Sequence, residues 1–190
     1  MAEDGERERW RRGERRRLLA SRLALAPEER QRCSAIIEER LERLLAQLPG
    51  ITIGLYWPIK GEIDPLPLAR RLGDTSRVLA LPAAPAPGAA LEYRAWRPGD
   101  PMTEGRHGIP EPRERKIVQP DILVVPVVGF DEARYRLGYG GGYFDRTLAA
   151  LAPRPVTIGV GLEQAGLATI YPQPHDIALD FIVTETRLRP

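Results

Sequence analysis

The sequence predicts an α/β protein: a sheet that is at least partly parallel, with helices on both faces. Three observations lead there. Apolar runs of strand length alternate along the chain with segments of helical period. One run, Ile122 to Val128, is apolar throughout and reads as a buried strand. That run empties into a glycine-rich loop and then a helix start, and in α/β sheets such loops at the carboxyl ends of strands hold ligands. The 190 residues suffice for one unit with a sizeable core, so 1–190 is read as a single domain.

The elements follow in order. Residues 1–24 are rich in arginine and glutamate, with the first ten expected to be disordered and a helix expected from about Arg12. Two readings fit this arm: a solvated helix laced with charge pairs, or a basic arm folding over a polyanionic ligand. Trp10 is an unusual residue in so polar a setting and is a candidate anchor. Pro27 with Glu28 and Glu29 marks a helix start. Cys33, Ile36, Ile37, Leu41, Leu44, Leu45 and Leu48 continue it at helical spacing until Pro49-Gly50 ends it.

Ile51 to Trp57 reads as the first strand, followed by a loop through Lys60, Gly61 and Glu62. Leu66, Leu68 and Leu72 suggest a short helix, Arg77 to Leu81 a second strand, and Leu91 to Trp96 an edge-like third. Arg97 to Arg115, dense in proline and glycine, is expected to be irregular. Ile122 to Val128 is the fourth strand. Pro126 inside it argues for a bend or a place near the sheet edge. Tyr143 to Leu151 is expected to be helical, and Val156 to Val160 and Phe181 to Val183 complete the strands.

Composition excludes several classes. A net charge of +2 gives no reason to expect a nucleic-acid or acidic-membrane partner. No apolar run reaches signal-peptide or membrane-spanning length, so a cytoplasmic location is expected. Cys33 is the one cysteine, which rules out an internal disulfide and a cysteine-based zinc cluster. Of the 28 basic side chains only Lys60 and Lys116 are lysines, leaving few candidates for lysine chemistry.

The chemistry concentrates in Arg134 to Asp145. Arg134 and Arg136 flank Gly138, Gly140, Gly141 and Gly142, and Asp145 lies in the first turn of the next helix. Glycines let backbone N–H groups approach an anion, a helix start adds partial positive charge, and arginine forks bind phosphate oxygens. A carboxylate beside bound phosphates can hold Mg²⁺. The two common nucleotide motifs are absent: no glycine loop ends in Lys-Ser or Lys-Thr, and Tyr143 stands where a dinucleotide fingerprint needs its third glycine. A flexible glycine loop is the competing reading, and the interleaved aromatics argue against it.

Val128-Gly129-Phe130-Asp131 followed by Tyr135 to Arg146 (Tyr-Arg-Leu-Gly-Tyr-Gly-Gly-Gly-Tyr-Phe-Asp-Arg) resembles the signature of the 5-formyltetrahydrofolate cyclo-ligase family. Tyr56-Trp57 to Glu62-Ile63, Gly108-Ile109-Pro110-Glu111-Pro112, and Pro174-His175-Asp176 with Phe181 to Thr184 are similar to further family segments, in the same order. The resemblance spans roughly residues 11–184. It implies a three-layer αβα sandwich with a mostly parallel, Rossmann-like sheet and an N-terminal helical arm. It also implies ATP- and Mg²⁺-dependent conversion of 5-formyltetrahydrofolate to 5,10-methenyltetrahydrofolate, ADP and phosphate, by a monomer. Carried over residue by residue, Arg11, Arg15, Arg136, Leu137, Gly138, Tyr139, Gly140, Gly141, Gly142, Tyr143 and Phe144 would bind ATP. Trp57, Glu62 and Tyr143 would bind the folate, and Asp145 and Asp176 the Mg²⁺. Asp145 as a mere helix-start residue, Asp176 as a turn residue and Glu62 as a solvated loop charge are the plainer alternatives.

The sequence departs from the family pattern in three places. Arg11 stands where the family usually has lysine, with Glu14 where it has leucine. Arg134 replaces a frequent glycine, either reshaping the turn or adding a phosphate contact. Asp64-Pro65 follows Glu62-Ile63, where threonine is common. Two other functions fit these departures: a paralogue acting on a different amide, or a folate-binding protein without catalysis.

Overall fold

The structure, a computed structural model, describes residues 2–190. Helix α1 (Ala2–Leu23) covers residues 2–10, which the sequence marks as disordered. Contacts with the rest of the chain accompany it: Trp10 packs edge-on to Tyr171 at 4.9 Å, and Leu18 is buried. Helix α2 (Pro27–Gln47) starts at Pro27 and buries Cys33, Ile37, Leu41, Leu44 and Leu45. Arg77 donates to the carbonyls of Leu45 and Leu48, satisfying acceptors that a helix end leaves open.

Strand β1 (Thr52–Gly54) is shorter than the apolar run suggests. Its continuation turns toward the site, and the Tyr56 hydroxyl donates to Ile63 O at 2.5 Å, bracing that loop. Helix α3 (Leu66–Gly73), β2 (Val78–Ala83) and β3 (Glu92–Ala95) follow. The stretch expected to be irregular contains a hairpin, β4 (Met102–Glu104) and β5 (Pro110–Pro112), joined through Arg106–Gly108. Strand β6 (Ile122–Pro126) leads to β7 (Gly129–Asp131) and β8 (Arg136–Leu137). Helix α4 (Tyr143–Ala150), β9 (Val156–Val160), β10 (Gly166–Leu167), β11 (Phe181–Val183) and β12 (Leu188–Arg189) complete the chain.

The main sheet has the order β12-β11-β9-β6-β1-β2-β3. The five inner strands are parallel, and β12 and β3 pair antiparallel at the edges. Side chains alternate between two cores. Ile122 and Val124 of β6 join α2 and α3 on one face, whereas Leu123 and Val125 meet Leu18 of α1 and Leu148 of α4 on the other. Each fully buried branched side chain stabilises by roughly 1.5–3 kcal/mol. The three layers and mostly parallel sheet match the expected sandwich. The small sheet β10-β7-β8 is an addition that the sequence reading lacks.

Strand β6 is central, which corrects the expectation that Pro126 sits near an edge. Its pairing with β1 ends at Leu123, so Pro126 lies past the shorter neighbour and breaks no register with it. Strand order reverses between β1 and β6: β2 lies outside β1, whereas β9 and β11 lie outside β6. The carboxyl ends flanking such a reversal leave a crevice open for ligand.

The C-terminal edge is held by charge. Arg189 donates two bonds to Glu163, at 2.5 and 3.0 Å. The Arg189 hydrogen bond, with help from Thr184 and Thr186, pulls the Glu163 carboxyl down to about 2. A depressed carboxyl adds stability above its unfolded value near 4.5 and loses it as pH falls toward 2. Glu163→Gln should therefore lower the melting temperature at pH 7 and leave it nearly unchanged at pH 2, measured by circular dichroism.

Candidate active site

The crevice at the sheet reversal opens into a cavity of about 680 Å³. The loop after β1 supplies Tyr56, Trp57, Ile59, Lys60 and Glu62, and the β8–α4 loop supplies Gly138 to Tyr143. Helix α1 adds Glu8, Arg11 and Arg15, the β4–β5 hairpin adds Arg106, His107, Ile109 and Glu111, and the loop before β11 adds Gln173, His175 and Asp176.

The glycine loop depends on its glycines locally. Gly142 has φ 63° and forms the N-cap of α4, and Gly140 has φ 96°, a region that other residues enter at a cost. Arg15 donates to Gly138 O at 3.0 Å, and Arg146 reaches back to Gly141 O at 2.5 Å. These bonds hold the loop between α1 and α4.

Two pairs of a buried arginine with a half-buried aspartate stand on the cavity wall. Arg136 donates to Asp145 Oδ1 at 2.8 Å and to Ile177 O at 2.8 Å, while Ile177 N–H donates to the same Asp145 oxygen at 3.1 Å. Burial pulls the Arg136 guanidinium below its usual value, and the Asp145 charge opposes that. Arg11, 5% exposed, donates to Asp176 Oδ2 at 2.6 Å and to Ile170 O at 3.1 Å. Gln173 N–H donates to Asp176 Oδ2 as well.

A third set surrounds Glu62. Its Oε1 accepts the Tyr139 hydroxyl at 2.8 Å and its Oε2 accepts Ile59 N–H at 2.9 Å. Lys60 lies over the Tyr139 ring at 5.2 Å. On the hairpin side, His107 (φ 63°) meets the Tyr143 hydroxyl at 3.2 Å.

A sequence model of the 5-formyltetrahydrofolate cyclo-ligase family matches residues 7–185. The chain belongs to the 5-formyltetrahydrofolate cyclo-ligase family. It is 29% identical over 180 residues to the 5-formyltetrahydrofolate cyclo-ligase of Mycolicibacterium smegmatis, covering 87% of this chain and 92% of that protein. It is 32% identical over 133 residues to the Escherichia coli K12 protein of that name, covering 67% of this chain and 73% of the other. The NMR structure of Aquifex aeolicus 5,10-methenyltetrahydrofolate synthetase superposes with a TM-score of 0.82 at 31% identity, over 94% of this chain and 91% of that one. A Mycoplasma pneumoniae 5,10-methenyltetrahydrofolate synthetase shares the fold, with a TM-score of 0.77 at 24% identity over 92% and 98% of the two chains. This is a family of ligases of folate metabolism.

Of the residues drawn from the family resemblance, Arg11, Arg15, Trp57, Glu62, Arg136, Gly138 to Phe144, Asp145 and Asp176 all line the one cavity. Leu137 does not. It pairs in β8 with Gly129 and is 1% exposed, so its side chain belongs to the core and not to the cavity wall. Arg134 is not among the residues that line the cavity. It takes φ 66°, the conformation a glycine would hold easily, and its guanidinium donates to Leu179 O and Pro190 O. Tyr139, assigned by the resemblance to the ATP loop, lines the cavity and donates its hydroxyl to Glu62.

Glu8 and Arg106 line the cavity without any signal in the sequence, and Tyr56, Lys60, His107 and His175, to which the sequence assigned no role, line it too. Gly108 to Pro112 was the signal that could have drawn attention to the hairpin. Among the described residues, no helix is long and apolar enough to cross a membrane.

Glu62 has a consequence for stability. Burial raises its carboxyl above the usual value, and bonds from Ile59 and Tyr139 only partly offset this. The native state then binds its proton more tightly than the unfolded chain, so stability falls as pH rises through the folded value. Glu62→Gln should raise the melting temperature at pH 7, with the gain shrinking toward pH 4.

Proposed function

We propose that the protein converts 5-formyltetrahydrofolate to 5,10-methenyltetrahydrofolate with ATP and Mg²⁺, releasing ADP and phosphate. One observation carries this reading. A single cavity is lined both by Arg11, Arg15, Arg136 and the glycine loop, suited to phosphates, and by Trp57 and Glu62, suited to a reduced pterin. Its volume of about 680 Å³ lies within the range of small-molecule sites.

In the balanced reaction the formyl oxygen takes the γ-phosphoryl group and ADP leaves. The N10 lone pair then attacks the formyl carbon. The bond from that carbon to the phosphorylated oxygen breaks, phosphate departs and the N10 proton is lost. Phosphorylation turns a poor leaving group into a good one, so the protein has mainly to position two ligands and offset charge. In this reading Arg11, Arg15, Arg136 and loop N–H groups take the phosphates, Trp57 lies against the pterin, and Glu62 accepts an N–H of the folate.

Asp145 and Asp176 are the residues that would hold Mg²⁺. Among the described residues there is no group of three or more His, Cys, Asp or Glu side chains able to form a metal cage. Two wall carboxylates suit an ion carried in on phosphates, because Mg²⁺ is commonly held by one or two carboxylates plus phosphate oxygens. Asp145 uses Oδ1 for its bonds to Arg136 and Ile177, and Asp176 uses Oδ2 for Arg11 and Gln173. The opposite oxygen of each is outside these bonds, with His175 Nε2 3.9 Å from Asp176 Oδ1. When bound, the ion would neutralise charge building on the phosphates.

The test is the appearance of methenyltetrahydrofolate absorbance from 5-formyltetrahydrofolate, expected only with ATP and Mg²⁺ together. Folded protein that shows no turnover with both present overturns the reading. ATP binding without folate binding would point to another amide substrate, and folate binding without turnover to a carrier.

A further inference from the structure

Arg22 lies outside every segment that identified the family site, yet it is 6% exposed and bonded toward that site. Its Nη2 donates to Val127 O at 2.5 Å, just past the end of β6. Its Nη1 donates to the Tyr139 hydroxyl at 3.2 Å. A guanidinium has no acceptor, so the Tyr139 oxygen must accept here, and its own proton is committed elsewhere. The partner in reach is Glu62 Oε1, at 2.8 Å.

We propose that Arg22 is a positioning residue. Through Tyr139 it orients Glu62 as an ionised acceptor for an N–H donor of the substrate. This rests on the folate reading of the cavity. The chain of bonds has one direction: Arg22 to Tyr139 to Glu62. Ile59 N–H holds the other oxygen, Oε2, from the opposite side. Each carboxylate oxygen has a second lone-pair direction, and Glu62 lines the cavity, so an incoming N–H can still be accepted.

The charged and titratable groups acting on Glu62 come from three elements. Arg22 acts from α1 and Lys60 from the β1 loop, both favouring the carboxylate. Tyr139 acts from the glycine loop through its hydrogen bond. The buried Tyr56 hydroxyl, on the β1 loop, feels the Glu62 charge but is bonded to Ile63 O. Arg22 is thus the one contributor that helps both by charge and by setting the direction of the Tyr139 proton.

The test is a double-mutant cycle read on the Glu62 carboxyl itself. The full chain is labelled with ¹³C at the glutamate carboxyls, and the Glu62 signal is assigned with Glu62→Gln. Arg22→Met and Tyr139→Phe are each expected to raise the titration midpoint of Glu62. The effect of Arg22→Met should be smaller in the Tyr139→Phe background than in wild type, because the route through the hydroxyl is already cut. Equal effects in both backgrounds, or no shift with Tyr139→Phe, overturn the proposal. Tyr139→Phe leaves the Arg22–Val127 bond in place, so the test survives if Arg22→Met loosens α1.

In turnover, each single variant should raise KM for 5-formyltetrahydrofolate about tenfold, the size of one hydrogen bond to a charged group. The KM for ATP should change less than about twofold in Arg22→Met. A merely structural Arg22 would move both constants together and leave the Glu62 midpoint in place. If wild-type protein shows no folate turnover, the functional reading fails, while the Glu62 titration still decides the relay.

Discussion

Asp145→Ala should lower kcat/KM for methenyltetrahydrofolate formation by at least about a hundredfold, the scale of removing one electrostatic contact from a phosphoryl-transfer site. It should also destabilise the fold. The Arg136 side chain is 4% exposed and the Asp145 side chain 22%. Removing the carboxylate leaves the buried guanidinium without its counter-charge, with Ile177 O as its remaining partner, and takes the acceptor from the Ile177 N–H. Breaking one partner of a buried pair costs about 3–5 kcal/mol, and the lower end applies here because Asp145 keeps some contact with water. Urea unfolding measures this separately from activity. Asp145→Asn keeps an acceptor oxygen for Arg136 and Ile177, so it should recover part of the stability and little of the turnover. Asparagine with near-native turnover would show that the carboxylate charge is not needed and would remove Asp145 from the metal role.

Arg11→Ala should be the second most damaging change. Arg11 joins α1 to the loop before β11 through Asp176 and Ile170 O, a connection across 159 to 165 residues of sequence. Its loss leaves Asp176, whose side chain is 10% exposed, without its cation. The expected cost is about 3 kcal/mol, again by urea unfolding. If the arm also meets phosphate, KM for ATP should rise about tenfold with KM for folate little changed. Arg11→Lys tests the departure from the family pattern. An ammonium on a flexible stem lacks the planar fork that serves Asp176 and Ile170 together, so lysine should recover less than half of the lost stability. A lysine variant with better ATP binding than wild type would show that arginine here serves the internal pair more than the nucleotide.

The two arginine–carboxylate pairs and the Glu62 set share a property. Each carboxylate of the cavity is already bonded to the protein before any ligand enters. Such bonds fix the acceptors in place and lower the reorganisation needed on binding. Three arginines of α1 tie it to distant loops: Arg11 to Asp176 in the loop before β11, and Arg15 and Arg22 to Gly138 and Tyr139 in the glycine loop.

The α/β class, the helices at Pro27 and Tyr143 and the glycine loop were legible in the residues alone, because each is local. Helical spacing, a proline at a helix start and a run of glycines after an apolar strand are short-range signals, set by backbone sterics and by which side chains must leave water. The loop residues are contiguous, so they reach the cavity together whatever the rest of the chain does. Strand order was not legible. That β6 is central, that Pro126 lies beyond the end of β1 and that the sheet reverses between β1 and β6 follow from pairings between distant segments. The fates of Leu137 and Arg134 were hidden for the same reason: one pairs with Gly129, the other bonds to Leu179 and Pro190. Arg22 is the clearest case. Its partner Tyr139 lies 117 residues away, and no period or motif links them. Local chemistry decides which elements form and where an anion can be held; only packing of the two helical layers on one sheet decides which arginine stands behind which acceptor.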